Sequence, residues 1–287
     1  MIVKLNSFGL LGIKGNDAVK FLQGQISCDV SKITESNSSL AVHADPKGRI
    51  LSLFRIFLKD DTYLLQLPKE SLKFAKNALE KYKVFYKSTL EDVTDQYDCF
   101  GFIDEPFTDT HALPDHENNC VTAGNATLLF WSGKHTRYEV ILPVDTHEHS
   151  DSDDEPWRLC DIEYGYPQVY PKTTEKLLPH YLNLNELDAL SFTKGCYTGQ
   201  EIIARMEHLG KLKKKMYYLK GYASELPELG SSLYHHEKRV GTIINAMLDK
   251  HELHLLAILP ISKSEETFYL DETLKDLLTV SELKYRS

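Results

Sequence analysis

The chain has no apolar run approaching the ~18 to 20 residues that cross a bilayer, so a helical membrane span is excluded. It has no CxxC pair and no Cys/His cluster, which argues against a structural zinc site. Its five cysteines, Cys28, Cys99, Cys120, Cys160 and Cys196, are odd in number and scattered, so a disulfide framework is not expected and reduced thiols are. It also lacks a basic excess. Thirty-three Lys and Arg against 42 Asp and Glu give a net charge of -9, which removes any general attraction to nucleic acid or anionic membrane. The opening "MIVKLNSFGLLGIKGNDAVKFLQ" has no basic segment followed by an unbroken apolar stretch and a cleavage site, so it does not read as a secretory signal. A soluble cytoplasmic protein is the expectation.

With 42% hydrophobic and 26% charged residues over 287 positions, the composition is that of a globular protein able to bury a substantial core. In "KGNDAVKFLQGQ", Asn16 or Asp17 is placed to cap a short helix that Gly24 would stop. "LAVHADPKGRILSLFRIFLKDDTYLLQLP" carries turn signals at Asp45-Pro46-Lys47-Gly48 and Lys59-Asp60-Asp61, predicting a three-stranded meander. Leu72, Ala75, Leu79 and Tyr82 recur at helical spacing, and Ser132-Gly133-Lys134 marks a hairpin bend. Hairpins mixed with helices, without regular βα alternation, predict an α+β fold with helices on one sheet face. From Gly210 onward, short strands broken by Gly, Pro, Asp and Lys predict a small β-barrel.

Two charged stretches invite functional readings. The acidic "HEHSDSDDEP", residues 147–156, is expected to be a solvated connector, since a metal needs a shaped cage of ligands rather than carboxylate density. In "GKLKKKMYYLKG", Lys211, Lys213, Lys214, Lys215 and Lys220 alternate with Tyr217 and Tyr218. A lysine-protected strand edge and a local anion or RNA contact both fit that pattern.

The segment "TKGCYTGQEIIAR" holds the chemistry. Thr198 and Glu201 have capping-box spacing, predicting a helix from Gly199 with an apolar stripe of Ile202, Ile203, Met206 and Leu209, ended by Gly210. Cys196 then precedes the cap, where unpaired amides, the helix dipole and the nearby charge of Lys194 would favour thiolate over thiol. Gly195 and Gly199 would permit a tight turn or the close approach of a ligand, and Tyr197 offers a flat face. A small buried cysteine is the alternative, and no His or Asn in the segment completes a protease-like dyad.

The longer string "KGCYTGQE" resembles the signature K-G-C-[YF]-x-G-Q-E of the YgfZ family of folate-binding proteins, in the superfamily of the glycine-cleavage T-protein. "DAVKFLQGQISCDV", "HADPKGRILSLFRI", "PHYLNLNELDALSF" and the β-rich end of the chain agree with it, so the resemblance spans nearly the whole sequence. It implies two interleaved ferredoxin-like α/β modules over residues 1–209 and a C-terminal β-barrel over 210–287, arranged around a central folate channel. It further implies binding of tetrahydrofolate or another reduced folate. The implied role is accessory, in the assembly or repair of iron-sulfur clusters in client enzymes, including radical enzymes that methylthiolate tRNA. Direct contact with nucleic acid is not expected, and no oligomeric state follows. By the signature, Cys196 is the functional thiol. Lys194, Tyr197, Gln200 and Glu201 become candidates for holding its loop or the folate, with Arg205 either a site residue or an exposed helix charge. Arg49 falls in the region that lines the superfamily's channel.

One departure separates the chain from the T-protein, which has an acidic pair after a Gly-Gly turn. Here the matching stretch reads Leu51, Ser52, Leu53, without a carboxylate to move a proton at the folate. Three functions stay open at this level: a thiol-dependent accessory factor for iron-sulfur clusters, a tetrahydrofolate-dependent aminomethyltransferase acting on a small amine, and a non-catalytic folate and client binder with Cys196 structural.

Overall fold

The computed structural model describes residues 1–107, 112–144, 150–273, 275–281, 283 and 285, and of Leu209 the backbone only. Strand β1 (Ile2–Lys4) opens one antiparallel sheet, and the chain then leaves it. It builds a second sheet from β2 (Phe8–Lys14), β3 (Ser39–Ala44), β4 (Ile50–Lys59), β5 (Thr62–Pro68) and β6 (Thr89–Asp92), in the order β3-β4-β5-β2-β6. Helices α1 (Ala18–Gln25) and α2 (Lys69–Lys83) belong to this second sheet. Only then does the chain return to the first sheet with β7 (Tyr97–Ile103), β8 (Cys120–Ala123), β9 (Ala126–Trp131) and β10 (Arg137–Pro143). The order there is β1-β7-β10-β9-β8, with Val3 opposite Gly101. The expected interleaving of two α/β modules is therefore present, and the meander is β3-β4-β5.

Period-2 alternation decides which way each strand faces. In β7, Phe100 and Phe102 enter a cluster with Leu128, Val140 and Leu142, whereas Ile103 joins Trp131, Ile141 and Trp157 on the other face. That second cluster also contains Phe8, Leu10, Phe57 and Leu64 of the other sheet, so the two sheets pack face to face. The far side of β2–β6 is covered by Phe21 and Leu22 of α1 and by Leu72, Ala75 and Leu79 of α2, as their spacing predicts. Each of the Phe and Leu side chains contributes about 1.5 to 3 kcal/mol on burial, and Ala75 less. Helix α1 runs through Gly24 to Gln25, and Asp17 makes no side-chain cap: its Oδ2 accepts instead from the Lys87 amide, 2.8 Å away.

Helix α3 (Glu155–Tyr164) lays Trp157 over Gly101, where a Cβ would come within 2.3 Å of the indole. After α4 (Gln200–Leu209) the chain forms a closed six-stranded barrel from β11 (Lys214–Tyr222), β12 (Ser232–His235), β13 (Lys238–Asp249), β14 (Glu252–Pro260), β15 (Phe268–Tyr269) and β16 (Leu277–Ser281). Its interior holds Leu219, Leu255, Ala257 and Phe268. The barrel docks through a bulge in β13, where the Asn245 side chain exchanges two hydrogen bonds with the Gln168 backbone, at 3.0 and 3.2 Å.

The acidic stretch differs from its expected role as a free connector. Ile2 N donates to Asp151 Oδ2 and Ser7 N to Asp154 Oδ2, both at 2.7 Å, and Ser152 bridges Val3. The carboxylates satisfy amides beside the short β1, and His147 and His149 lie outside the described residues. Among the described residues no group of three or more His, Cys, Asp or Glu is gathered as a metal site, and no helix is long and apolar enough to cross a membrane. In the lysine-rich stretch, β14 pairs with β11 along its length while β16 covers only Tyr218–Gly221; next to Lys214 and Lys215 the edge is closed by the Asn183 side chain, which donates to Met216 O at 2.9 Å and accepts from Met216 N at 3.2 Å. Lys220 is engaged, 3.2 Å from Glu252.

Candidate functional site

Three stretches far apart in sequence meet beneath Cys196. The Thr198 amide donates to the Gly24 carbonyl at 3.1 Å, and the Ser191 amide to Ser27 O at 2.9 Å, laying the loop along residues 24–28. On its other side the loop packs on the Asp45–Gly48 turn. Gly199 has φ +84, and a Cβ there would lie 2.6 Å from the Asp45 carbonyl oxygen. Gly48 has φ +71, and its Cβ would lie 3.0 Å from Ile202. Each glycine is required twice, once by its left-handed backbone and once by the approach of the other stretch.

This contact overrides the capping box. Gly199, not Thr198, is the N-cap of α4, with no side-chain cap hydrogen bond. The Thr198 hydroxyl is turned to Gly24 O and Gln25 Oε1, at 3.5 and 3.4 Å, and Glu201 is exposed. Lys194 is turned inward. Its ammonium is buried, donating to the carbonyls of Ile26 and Cys28 at 2.8 and 2.6 Å, and sits 5.1 Å from the Tyr197 ring centroid. Burial pulls its pKa down to about 8, opposed by Cys28 and Asp29. Lys194 therefore fastens the loop from below.

Tyr197 presents no free face, being part of the core with Ile203, Val42 and Leu53. Burial raises its pKa to about 12, and its hydroxyl has no hydrogen-bond partner among the described residues. Cys196 alone of the five cysteines is exposed. At Gly195 a Cβ would meet no atom within 4 Å, so nothing in the fold requires glycine there. Gln200 is half-buried and Arg205 exposed on α4. Arg49 reaches the carbonyls of Glu175 and Lys176, at 3.5 and 3.2 Å, holding the neighbouring segment.

The two signature glycines should respond differently to alanine. Gly199→Ala is expected to cost about 1 to 3 kcal/mol or more in urea unfolding, from left-handed strain plus the clash with the Asp45 carbonyl. Gly195→Ala should stay within about 0.5 kcal/mol of the native protein.

None of the seven residues singled out by sequence lines a second feature of the molecule, a large cavity. That cavity, of about 800 Å³, lies where both sheets, the end of α3, the turn at 186–188 and the C-terminal residues Leu283 and Tyr285 converge. Its wall includes Tyr164 and Tyr166, whose ring centroids are 4.9 Å apart, with Tyr166 also edge-on to Trp131 at 5.0 Å. Burial pushes Tyr166 up to about 12. Arg55 donates twice to Ser38 Oγ, at 3.0 and 2.7 Å, and lies 4.4 Å from the Trp131 ring centroid. Behind it Glu139, wholly buried, accepts from Gln66 Nε2 and, at 3.0 Å, from Trp131 Nε1. Burial lifts Glu139 to about 7, against the pull of Gln66 and Arg55. Glu163 adds a half-buried carboxylate 3.5 Å from the Tyr218 hydroxyl, which lies 2.6 Å from His254 Nδ1. A charged residue inside the apolar run "SLFRIFL" was the sequence signal for Arg55, and "EYGYP" for the tyrosines.

No family model matches the chain. It is 33% identical over 235 residues to tRNA-modifying protein YgfZ of Colwellia psychrerythraea, covering 76% of this chain and 71% of that protein. The same-named protein of Hamiltonella defensa is 34% identical over 251 residues, covering 81% and 73%. The chain belongs to the YgfZ family. A third YgfZ, from Yersinia pestis, is 30% identical over 268 residues, 86% of this chain and 80% of its own. Among solved structures, glycine cleavage system aminomethyltransferase T from Bartonella henselae superposes with a TM-score of 0.73 over 99% of this chain and 86% of that one. At 13% identity the likeness shows the fold alone: this YgfZ-family chain has the T-protein architecture.

Proposed function

We propose that this protein binds a reduced folate in the central cavity and, through Cys196, supports the assembly or repair of iron-sulfur clusters in client enzymes. Its tRNA link, after the name its relatives carry, would then run through clients that modify tRNA. The observation that carries the proposal is the one exposed thiol, set on a loop that two separate segments, residues 24–28 and 45–48, fix in place. Such a thiol is presented outward to a large partner. A pterin is flat and bears N–H donors on its pyrimidine edge. Tyr164 and Tyr166 offer aromatic surface, Glu163 an acceptor and Arg55 a donor, and these residues would hold it. A bound reduced folate supplies a carrier for one-carbon units. Aminomethyl transfer is not favoured, because Leu51, Ser52 and Leu53 on β4 offer no carboxylate.

Thermal unfolding with tetrahydrofolate tests the ligand. At a hundredfold excess over Kd, binding to the folded state alone adds about 2.7 kcal/mol, and for a chain of this size the melting temperature should rise by about 5 °C. Tyr166→Ala should lose most of that rise. An unchanged melting temperature in the native protein would remove folate from the cavity.

A further inference from the structure

The end of α2 breaks the usual distribution of apolar side chains. Val84 and Phe85 are 74% and 82% exposed, next to each other on a turn. The turn is fixed by Tyr86 N donating to Lys83 O at 2.8 Å and Ser88 N to Tyr86 O at 2.9 Å. It sinks Tyr86 against Phe21, with centroids 5.4 Å apart, and so drives its two neighbours into solvent. Two hydrogen bonds join Asp17 and Lys87, which brings the start of α1 alongside, with Val19 43% exposed. Exposed apolar residues set together mark interaction sites, whereas single ones need no explanation.

The surrounding charge is predominantly positive, Asp17 and the Lys76-paired Glu80 being the acidic groups nearby. Lys20, Lys81 and Lys87 are exposed and Lys83 half-buried, and none makes an ion pair with a described residue. In a chain of net charge -9 this is a local reversal, and it favours a partner that is acidic where it meets the tip. The patch also adjoins the thiol loop. A Cβ on Gly24, at the far end of α1, would lie 3.9 Å from the Tyr86 hydroxyl, and the Gly24 carbonyl accepts from Thr198. The start of α1 beside the patch and the Gly24 carbonyl that holds the loop lie within one helix of eight residues, about 12 Å long. A protein interface of ordinary size, about 800 Å² on each side, covers both patch and loop.

We infer that Val84 and Phe85, framed by these lysines, anchor a second protein that carries an apolar pocket with an acidic rim and docks over Cys196. This rests on the reading that Cys196 serves a protein client. A protein is favoured over an anionic bilayer because the patch and the loop of the exposed thiol are both held against α1, and Gly195 beside the thiol has open space around it.

The test uses the full chain in its native cells. One form carries the photoreactive residue p-benzoylphenylalanine in place of Phe85. A second, otherwise native, is treated with diamide to trap Cys196 as a mixed disulfide, and mass spectrometry identifies the adducts. The same acidic iron-sulfur protein is expected at both positions. A Val84→Asp, Phe85→Asp double variant, and separately Lys81→Glu with Lys83→Glu, should lower the Cys196 adduct at least tenfold, with melting temperature and folate response unchanged. An undiminished Cys196 adduct in these variants overturns the inference and leaves the client reading intact. A Phe85 crosslink to an acidic protein with nothing trapped at Cys196 keeps the docking surface and removes the thiol chemistry. Crosslinks only between copies of this chain, or co-sedimentation with phosphatidylglycerol vesicles that the aspartate variant abolishes, overturn it in favour of self-association or a membrane.

Discussion

Replacing Cys196 by alanine is expected to reduce the activity of the client enzymes in cells more than tenfold while leaving the melting temperature and the folate response unchanged. The side chain is exposed, and an exposed position away from caps and buried networks usually changes stability by no more than about 0.5 kcal/mol. No other cysteine can substitute. Burial lifts Cys28 to about 12 and Cys120 and Cys160 to about 11, and it holds Cys99 well above the ordinary thiol range. At neutral pH these four remain protonated, and the thiolate is the nucleophile and the metal ligand. In the folded protein, iodoacetamide should therefore label Cys196 first. The activity of a client iron-sulfur enzyme in cells carrying the alanine variant, beside a melting curve of the purified variant, decides the matter. Retained activity would sink the role of the thiol. Lost activity accompanied by a lower melting temperature would make Cys196 a structural residue.

What the sequence made legible was local. Turn residues at Asp45–Gly48 and Lys59–Asp61 bound a real meander, helical spacing identified the buried face of α2, and the Gly-, Pro- and Lys-broken strands after Gly210 close into a barrel. Pairings between distant residues were not legible from pattern. Nothing in "MIVKLN" shows that β1 pairs with β7, some hundred positions away, and the interleaving came only from the family resemblance. At the thiol loop a correct local rule lost to tertiary contact. Thr198 and Glu201 have the spacing of a capping box, but the loop must bring Gly199 against the Asp45 carbonyl, so Thr198 turns toward Gly24 instead. Lys194, read as a charge beside the sulfur, satisfies two backbone carbonyls in the core. The cavity was the least legible feature, because its wall is drawn from several separate segments and has no contiguous motif.

Stability measured against pH should expose two buried groups that oppose one another. His43 is fully buried and neither ring nitrogen has a partner among the described residues; burial, aided by Lys81, lowers its pKa from 6.5 to about 4. On acidification the unfolded chain takes up this proton first. Stability present above pH 6.5 is thus lost as pH falls toward 4, by about 3 kcal/mol in all at ~1.4 kcal/mol per pH unit. Glu139 has the opposite sign. Its pKa is raised by burial from 4.5 to about 7, so the folded state keeps a proton that the unfolded chain gives up. Stability present below pH 4.5 is then lost as pH rises through 7, again by about 3 kcal/mol. Between about pH 4.5 and 6.5 the two slopes offset each other, and the native protein should show a shallow profile there. Glu139→Gln keeps an acceptor for Trp131 Nε1 but removes the titration, so its stability should climb with pH across that window. His43→Phe removes an unpaired polar ring, so the variant should be at least as stable as the native protein near pH 5 and lose stability as pH rises to 7. Urea unfolding of the three proteins at half-unit intervals from pH 4.5 to 7.5 measures this. Parallel profiles would mean that neither group changes its proton affinity on folding.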